Sequence, residues 1–110
     1  VYQGKIHVFQ PAQKTDAYQM SNALILSEGA EINTKPELEI YADDVACSHG
    51  TTTGKIDEDQ LFYMRARGIA KDEAQAILIE AFLAEVLDDI KDETIQERAL
   101  GAVRSWLTKQ

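Results

Sequence analysis

Hydrophobic and polar residues alternate with a period of two through the first half of the chain. The alternation is clear in residues 5–9, 38–41 and 45–49, and residues 23–26 form a short continuous apolar run. Alternation of this kind is typical of half-buried β-strands, and a continuous run of four apolar residues fits a strand buried on both faces. Glycine, proline, asparagine and aspartate lie between these segments, so the pattern predicts a series of strands joined by turns.

The spacing of the strands leaves two arrangements open. Pairs of apolar residues recur every 14 to 18 residues, at Ile6/Val8, Leu24/Leu26 and Leu38/Ile40. This spacing is long for hairpins and short for βαβ units. An antiparallel meander is the ordinary interpretation, and a coiled solenoid in which each turn rests on the previous one is the alternative.

From Asp57 onward the period changes to 3.6 residues. Asp57 is a good N-cap for a first helix that ends at Gly68, a suitable C′ residue. A second helix is predicted to begin near Lys71, and Asp92 to cap a third. Strands followed by helices predict a segregated α+β fold, with domains at 1–56 and 57–110.

The helices are predicted to bury different parts of their surfaces. Apolar residues cover so much of the second helix that it requires contacts on two sides. Phe62, Tyr63 and Met64 are predicted to be core residues of the first helix, and Trp106 to seal the helical core. The third helix is expected to turn one face inward, comprising Ile95, Ala99, Val103, Trp106 and Leu107.

Composition and charge exclude several classes of protein. Hydrophobic residues make up 45% of the 110 positions and charged residues 27%, as in ordinary globular proteins. No run of 18 apolar residues occurs, so no membrane span is expected. Nineteen acidic against 11 basic residues give a net charge of −8, which disfavours nucleic-acid binding. The single cysteine cannot form an internal disulfide and fits a reducing compartment.

Few residues have side chains suited to chemistry. Cys47 and His49 lie two positions apart in a predicted strand, so both side chains are expected on one face. A thiolate and an imidazole are good ligands for iron or zinc, but two donors do not complete a four-coordinate site. A ligand pair and two ordinary packing residues therefore both remain open as interpretations.

Two enzymatic interpretations have weaker support in the sequence. A Cys47–His49 nucleophilic dyad needs an orienting partner, and Asp43 and Asp44 are not expected on the correct side of the imidazole. A carbohydrate-active enzyme needs clustered carboxylates on one strand surface, and only Glu37 and Glu39 come close. The common phosphate-binding and zinc-protease motifs are absent from the sequence.

A resemblance to a known family extends over most of the chain. Residues 36–50 (PELEIYADDVACSHG) and 51–69 (TTTGKIDEDQLFYMRARGI) resemble the SufD branch of the SufB/SufD family of bacterial iron–sulfur cluster assembly, as do Glu73-Ala74 and residues 80–82. SufB members share the regions at 61–63 and 67–69. They usually carry His-Glu where this chain has His49-Gly50, which favours the SufD branch.

The resemblance implies a fold and a set of partners. The expected fold is the C-terminal turns of a right-handed parallel β-helix, in place of the meander, followed by a C-terminal helical domain. The expected function is that of a non-enzymatic, cytoplasmic scaffold subunit. It would contact SufB, or a second SufD, through the last β-helix strands and the ATPase SufC through the C-terminal helices. No nucleic-acid or membrane partner is expected.

The resemblance also assigns the candidate metal ligands. His49 would help to build a nascent, transient iron–sulfur cluster shared with SufB, and Cys47 would be an accessory ligand. Both side chains are expected to project outward to a second subunit. Because the chain starts at Val1 and lacks the N-terminal part of the family, it is expected to be a fragment without a bound cluster. The alternative function is a protein–protein interaction module in which neither residue binds a ligand.

Overall fold

The computed structural model describes residues 1–109 and contains four strands followed by three helices. This order confirms the predicted α+β class. The chain divides into two compact units, Val1–Lys55 and Ile56–Gln110. The elements are β1 (Tyr2–Val8), β2 (Asp16–Ile25), β3 (Thr34–Ile40), β4 (Ala46–Lys55), α1 (Glu58–Ala66), α2 (Lys71–Leu87) and α3 (Glu93–Leu107).

The four strands form two parallel two-stranded sheets, one of β1 with β3 and the other of β2 with β4. Tyr2 pairs with Thr34 and Asp16 with Ala46, so each strand pairs with the next strand but one along the chain. The antiparallel meander is therefore wrong. Alternation shows which residues share a face, but it contains no information on strand direction. The apolar spacing of 14 to 18 residues is the distance between successive strands, which lie in different sheets.

The turns that lead into β2 and β4 lie against one another. The Lys14 N–H donates to the Asp44 carbonyl, and the Asp44 N–H donates to the Gln13 side-chain oxygen at 3.0 Å. The Ala46 N–H donates to the Thr15 carbonyl at 2.9 Å. Lys14 adopts a positive φ of 63°, a backbone conformation that residues other than glycine rarely adopt. These bonds fix the register in which β4 begins beside β2.

The β1–β3 sheet has one apolar and one charged face. Ile6 and Val8 pair with Leu38 and Ile40, and Val8 is only 3% exposed. Leu38 and Ile40 remain 37% and 40% exposed. Within residues 1–109 the apolar face is therefore covered at Val8 of β1 but only partly covered on β3.

The predicted capping residues lie at both ends of α1. The Asp57 side chain accepts hydrogen bonds from the backbone N–H groups of Asp59 and Gln60, at 2.9 and 3.2 Å. Gly68 has a φ of 90°, and its N–H donates to the Arg65 carbonyl, while the next N–H, of Ile69, donates to the Met64 carbonyl. This pair of bonds is the Schellman motif, which requires a left-handed residue and therefore favours glycine.

The core of the helical unit is small. Leu61 is 5% exposed and Ala74 is fully buried. The broad apolar surface of α2 contacts both α1 and α3, which confirms the expectation of contacts on two sides. None of the helices within residues 1–109 is long and apolar enough to cross a membrane.

Three aromatic residues predicted to be in this core lie largely outside it. Phe62 is 75% exposed, Tyr63 58% and Trp106 46%. In α1 the buried residue is Leu61, and the two following residues remain exposed. In α3 the half-buried stripe comprises Gln96, Ala99, Leu100, Val103 and Leu107, which leaves Ile95 and Trp106 exposed beside it.

A pH-dependent ion pair joins α2 to α3. Two guanidinium nitrogens of Arg104 donate to Glu80 Oε1, at 2.7 and 2.9 Å, and this hydrogen bond, aided by the positive charge, holds the pKa of the Glu80 carboxyl below its usual value of 4.5. A lowered carboxyl pKa stabilises the fold above the unfolded-state pKa, and this contribution is lost as pH falls through the folded-state pKa.

We therefore expect Glu80→Gln to unfold at a lower temperature than wild type at pH 7. The difference should close as pH falls below 4.5, the usual pKa of the carboxyl. Thermal unfolding followed by circular dichroism between pH 7 and pH 3 measures this. Glu85→Gln, at an exposed position of α2 outside this pair, is the matched control. An equal pH dependence in both variants would show that Arg104 is not the cause.

Candidate functional site

Cys47 and His49 lie on one face of β4, as their spacing predicts. The strand pairing places Cys47 beside Ala17 of β2 and His49 beside Gln19. Neighbouring strands lie about 4.8 Å apart, and in-register residues share a face of the sheet. This face, which we call the inner face, comprises Ala17, Gln19, Ser21, Cys47, His49 and Thr51.

The inner face turns toward β1. The side chain of Gln19 lies against Gly4 of β1 so closely that a Cβ on Gly4 would overlap the Gln19 amide nitrogen and lie 2.9 Å from Gln19 Cδ. Because alternate residues of a strand share one face, Cys47 and His49 lie on the same side of their sheet as Gln19. Their face therefore looks toward the other sheet, and the expectation that both side chains project outward to a second subunit stays a prediction.

His49 is nevertheless accessible. Its side chain is exposed, and that of Cys47 is half-buried. β4 pairs with β2 along one side only, so the opposite edge of β4 is free within residues 1–109. The imidazole and the thiol are thus open to a group that approaches along this free edge.

Gly50 leaves space for the Tyr18 side chain on the face of this sheet opposite to the inner face. It pairs with Met20, and a Cβ at Gly50 would lie 2.5 Å from the Tyr18 hydroxyl and 3.4 Å from Met20 Sδ. The Tyr18 hydroxyl donates to Met20 Sδ at 3.8 Å. A side chain at position 50 would therefore displace Tyr18. The close approach of Tyr18 therefore explains why position 50 is a glycine. Gly50 itself contributes no donor to the site.

Gln19 is a site residue that the sequence reasoning missed. Both polar atoms of its amide are buried, and among residues 1–109 neither has a hydrogen-bond partner. A buried amide without a partner costs about 1–3 kcal/mol. The only sequence signal was a long polar side chain between small residues, Ala17 and Ser21, at a spacing of two. Its pairing with His49 depends on strand register, which the sequence pattern does not show.

The His49 imidazole and the Cys47 thiol are suitable ligands for an iron–sulfur group, but two donors do not enclose one. Imidazole nitrogen and thiolate sulfur are ligands that iron accepts. Within residues 1–109 no group of three or more His, Cys, Asp or Glu side chains could hold a metal ion. Two donors on the inner face therefore leave most of the coordination shell to be supplied from elsewhere.

The carboxylates considered for sugar chemistry are held in ion pairs. Lys5 Nζ lies 2.8 Å from Glu39 Oε1 and 3.9 Å from Glu37, and Lys35 Nζ lies 3.6 Å from Glu37. The hydrogen bond from Lys5, with its charge, lowers the pKa of the Glu39 carboxyl. A general acid needs a raised pKa, so the environment of Glu39 is the opposite of what glycoside hydrolysis requires.

Comparison with known proteins identifies the family. The domain described as "SUF system FeS cluster assembly, SufBD core domain" matches residues 1–82. This is well over half of the chain, and the chain belongs to that family. The resemblance expected from residues 36–69 is thereby confirmed.

Individual relatives support the SufD branch. The chain is 48% identical over 103 residues to the iron–sulfur cluster assembly protein SufD of Escherichia coli, covering 94% of this chain and 24% of that protein. It is 48% identical over 98 residues to a SufBD family protein of Synechocystis, covering 89% and 22%, and 34% identical over 103 residues to SufD of Bacillus subtilis, covering 94% and 24%. The chain thus spans about a quarter of the length of these relatives.

Proposed function

We propose that this chain is the C-terminal part of a scaffold subunit of the SUF iron–sulfur cluster assembly machinery. In this proposal β1–β4 are the last turns of a right-handed parallel β-helix, and α1–α3 are the C-terminal helical domain. Two features support this fold. The strands alternate between two sheets, and each pairs in parallel with the next strand but one. Successive turns of a solenoid stack in this way.

The site supports a role for His49 as a ligand of the nascent cluster, with Cys47 as an accessory ligand. The observation that carries the proposal is the presence of an exposed imidazole and a half-buried thiol on the same face of β4, next to a free strand edge. The cluster is cargo that the subunit helps to build and then releases. An incomplete donor set suits this task, because a second chain can supply the remaining ligands and later withdraw them.

The proposal also includes two partner surfaces. SufB, or a second SufD, would continue the sheets along the free edges of β3 and β4, where Leu38 and Ile40 remain partly exposed. SufC would contact the C-terminal helices. Phe62, Tyr63 and Val86 are exposed apolar residues of that unit, at 75%, 58% and 63%, and are suited to a protein interface. The names of the relatives indicate only that they are iron–sulfur cluster assembly proteins of the SufD type. The two interfaces themselves are inferred from the exposed residues.

The subunit would be a cytoplasmic protein without catalytic activity of its own. A single cysteine with no internal partner suits a reducing compartment. ATP binding and hydrolysis in SufC would supply the conformational work, and the chain would contribute ligands and a binding surface.

An anaerobic titration of Fe(II) into the full-length complex tests the ligand role. Wild type should bind Fe(II), and His49→Ala should weaken binding by more than roughly 10-fold, because imidazole is one of only two donors that β4 offers. Affinity is measured by competition with a chromophoric chelator. Ser21→Ala, which changes a polar residue of the inner face without removing either donor, is the matched control. Equal affinity in wild type and His49→Ala would exclude His49 as a ligand.

The alternative is an interaction module in which Cys47 and His49 only pack. The presence of just two potential ligands in the inner face favours this alternative over a resident metal site. It predicts that Cys47→Ser changes stability by about 1–3 kcal/mol, that His49→Ala changes it less because the imidazole is exposed, and that neither variant has any other effect. The Fe(II) titration separates the two functions, since the interaction module needs no iron.

A further inference from the structure

The buried amide of Gln19 has no partner but lies next to the proposed ligand His49. The two residues pair in register on adjacent strands and share the inner face. Their strands are about 4.8 Å apart, which is within reach of a long side chain. The amide oxygen and nitrogen are both buried and lack a hydrogen-bond partner among residues 1–109.

We propose that Gln19 is the positioning residue of the site: its amide oxygen accepts a hydrogen bond from the His49 ring N–H and so orients the imidazole. This proposal deepens the proposed function and rests on it for its metal-binding consequence. A histidine that binds a metal through one ring nitrogen almost always donates from the other, to a carboxylate, a carbonyl or water. That hydrogen bond fixes the tautomer and directs the remaining lone pair.

Gly4 explains how a residue of this length is accommodated. Because Gly4 has no Cβ, the Gln19 amide lies directly against β1, where it is shielded from solvent. In this position the amide does not hydrogen-bond to His49, so the hydrogen bond that we propose requires a different rotamer of Gln19. The packing therefore leaves the amide oxygen without a partner in a residue that pairs in register with His49.

Tyr2 is the competing partner for the amide. A Cβ on Gly4 would lie 2.9 Å from the Tyr2 hydroxyl oxygen and 2.9 Å from Gln19 Cδ, so the hydroxyl is near the same point. Tyr2 is 44% exposed, however, and its hydroxyl can be satisfied by solvent. His49 occupies the in-register position, which is why we assign the amide to the imidazole.

The tautomer of His49 tests the assignment directly. In full-length protein labelled with ¹⁵N-histidine, the His49 signals are identified by their loss in His49→Ala, and long-range ¹H–¹⁵N spectra report which ring nitrogen carries the proton. Wild type should show one dominant tautomer. Gln19→Leu, which removes the acceptor while keeping a side chain of similar size, should give a mixture and weaken Fe(II) binding roughly 10-fold.

Two further variants complete the test. Gln19→Glu keeps an acceptor oxygen, so it should retain the dominant tautomer. Ser21→Ala, on the same face one register step away, should change neither the tautomer nor the Fe(II) affinity. Melting curves of each variant confirm that it is folded before its spectra are compared.

The outcomes separate this inference from the proposed function. An unchanged tautomer in Gln19→Leu overturns the inference, and a loss of stability in Tyr2→Phe would then assign the amide to Tyr2. If Gln19→Leu alters the tautomer but neither Gln19→Leu nor His49→Ala changes Fe(II) affinity, Gln19 does orient His49. In that case it is the ligand role of His49 that fails.

Discussion

Full-length protein carrying His49→Ala is expected to fold and to retain its partners, but to mature iron–sulfur clusters more than roughly 10-fold more slowly than wild type. The imidazole is exposed, so its removal leaves no cavity. It is also one of the two donors on the inner face, so under the proposed ligand role its removal takes away half of the ligands of that face. Transfer of a reconstituted cluster to an acceptor apoprotein, followed by absorbance under anaerobic conditions, measures the rate.

Cys47→Ser provides a graded comparison for the same measurement. Serine is nearly isosteric with cysteine and keeps a polar atom at the same point, but its hydroxyl is a poor ligand for iron. If Cys47 is only an accessory ligand, its variant should lose less activity than His49→Ala. A Cys47→Ser variant that is fully inactive while His49→Ala matures clusters normally would reverse the assigned roles.

Complex formation must be measured in parallel, because a failure to assemble would also stop cluster maturation. Size-exclusion chromatography of each variant with its partner subunits gives the amount of complex. Under the interaction-module alternative, the variants would alter stability and complex formation together and leave cluster transfer per complex unchanged. A selective loss of transfer at normal complex yield therefore supports the ligand role alone.

The sequence predicted local features of the fold better than relations between distant segments. Asp57, Gly68 and Asp92 each have a defined task at a helix end, which depends on neighbouring residues only, and all three were placed correctly. Strand direction and pairing depend on residues about 30 positions away along the chain, as between Gln19 and His49. Alternation cannot specify such pairings, which is why the residues themselves favoured a meander.

The candidate site shows the same division. The shared face of Cys47 and His49 follows from a spacing of two and was predicted. The direction of that face was not, because it depends on where β1 lies, and the contact between Gln19 and Gly4 reveals it. Phe62 and Tyr63 were misplaced for a related reason. Three consecutive apolar residues in a helix point in different directions, and only the neighbouring helix decides which of them is buried.

Leu61→Ala is expected to lower the free energy of unfolding of the helical unit by about 2–4 kcal/mol. Leu61 is 5% exposed, and it is the buried residue of α1. Replacing it removes buried apolar surface and leaves a cavity that so small a core can only partly close. Since a single small domain is stable by only about 5–15 kcal/mol, this is a large fraction of the total.

Phe62→Ala is the matched control for this prediction, at the adjacent position of the same helix. Phenylalanine is the larger side chain, but Phe62 is 75% exposed, so its truncation should change the free energy of unfolding by no more than about 0.5 kcal/mol. Urea unfolding of the 110-residue chain, followed by circular dichroism at 222 nm, compares the two variants. Equal destabilisation would mean that Phe62 is as buried as Leu61 and that the packing of α1 is rotated from that described. If Phe62→Ala is neutral in this chain but weakens binding of a partner by the full-length protein, the exposed ring is an interface residue, because burial then occurs only on association.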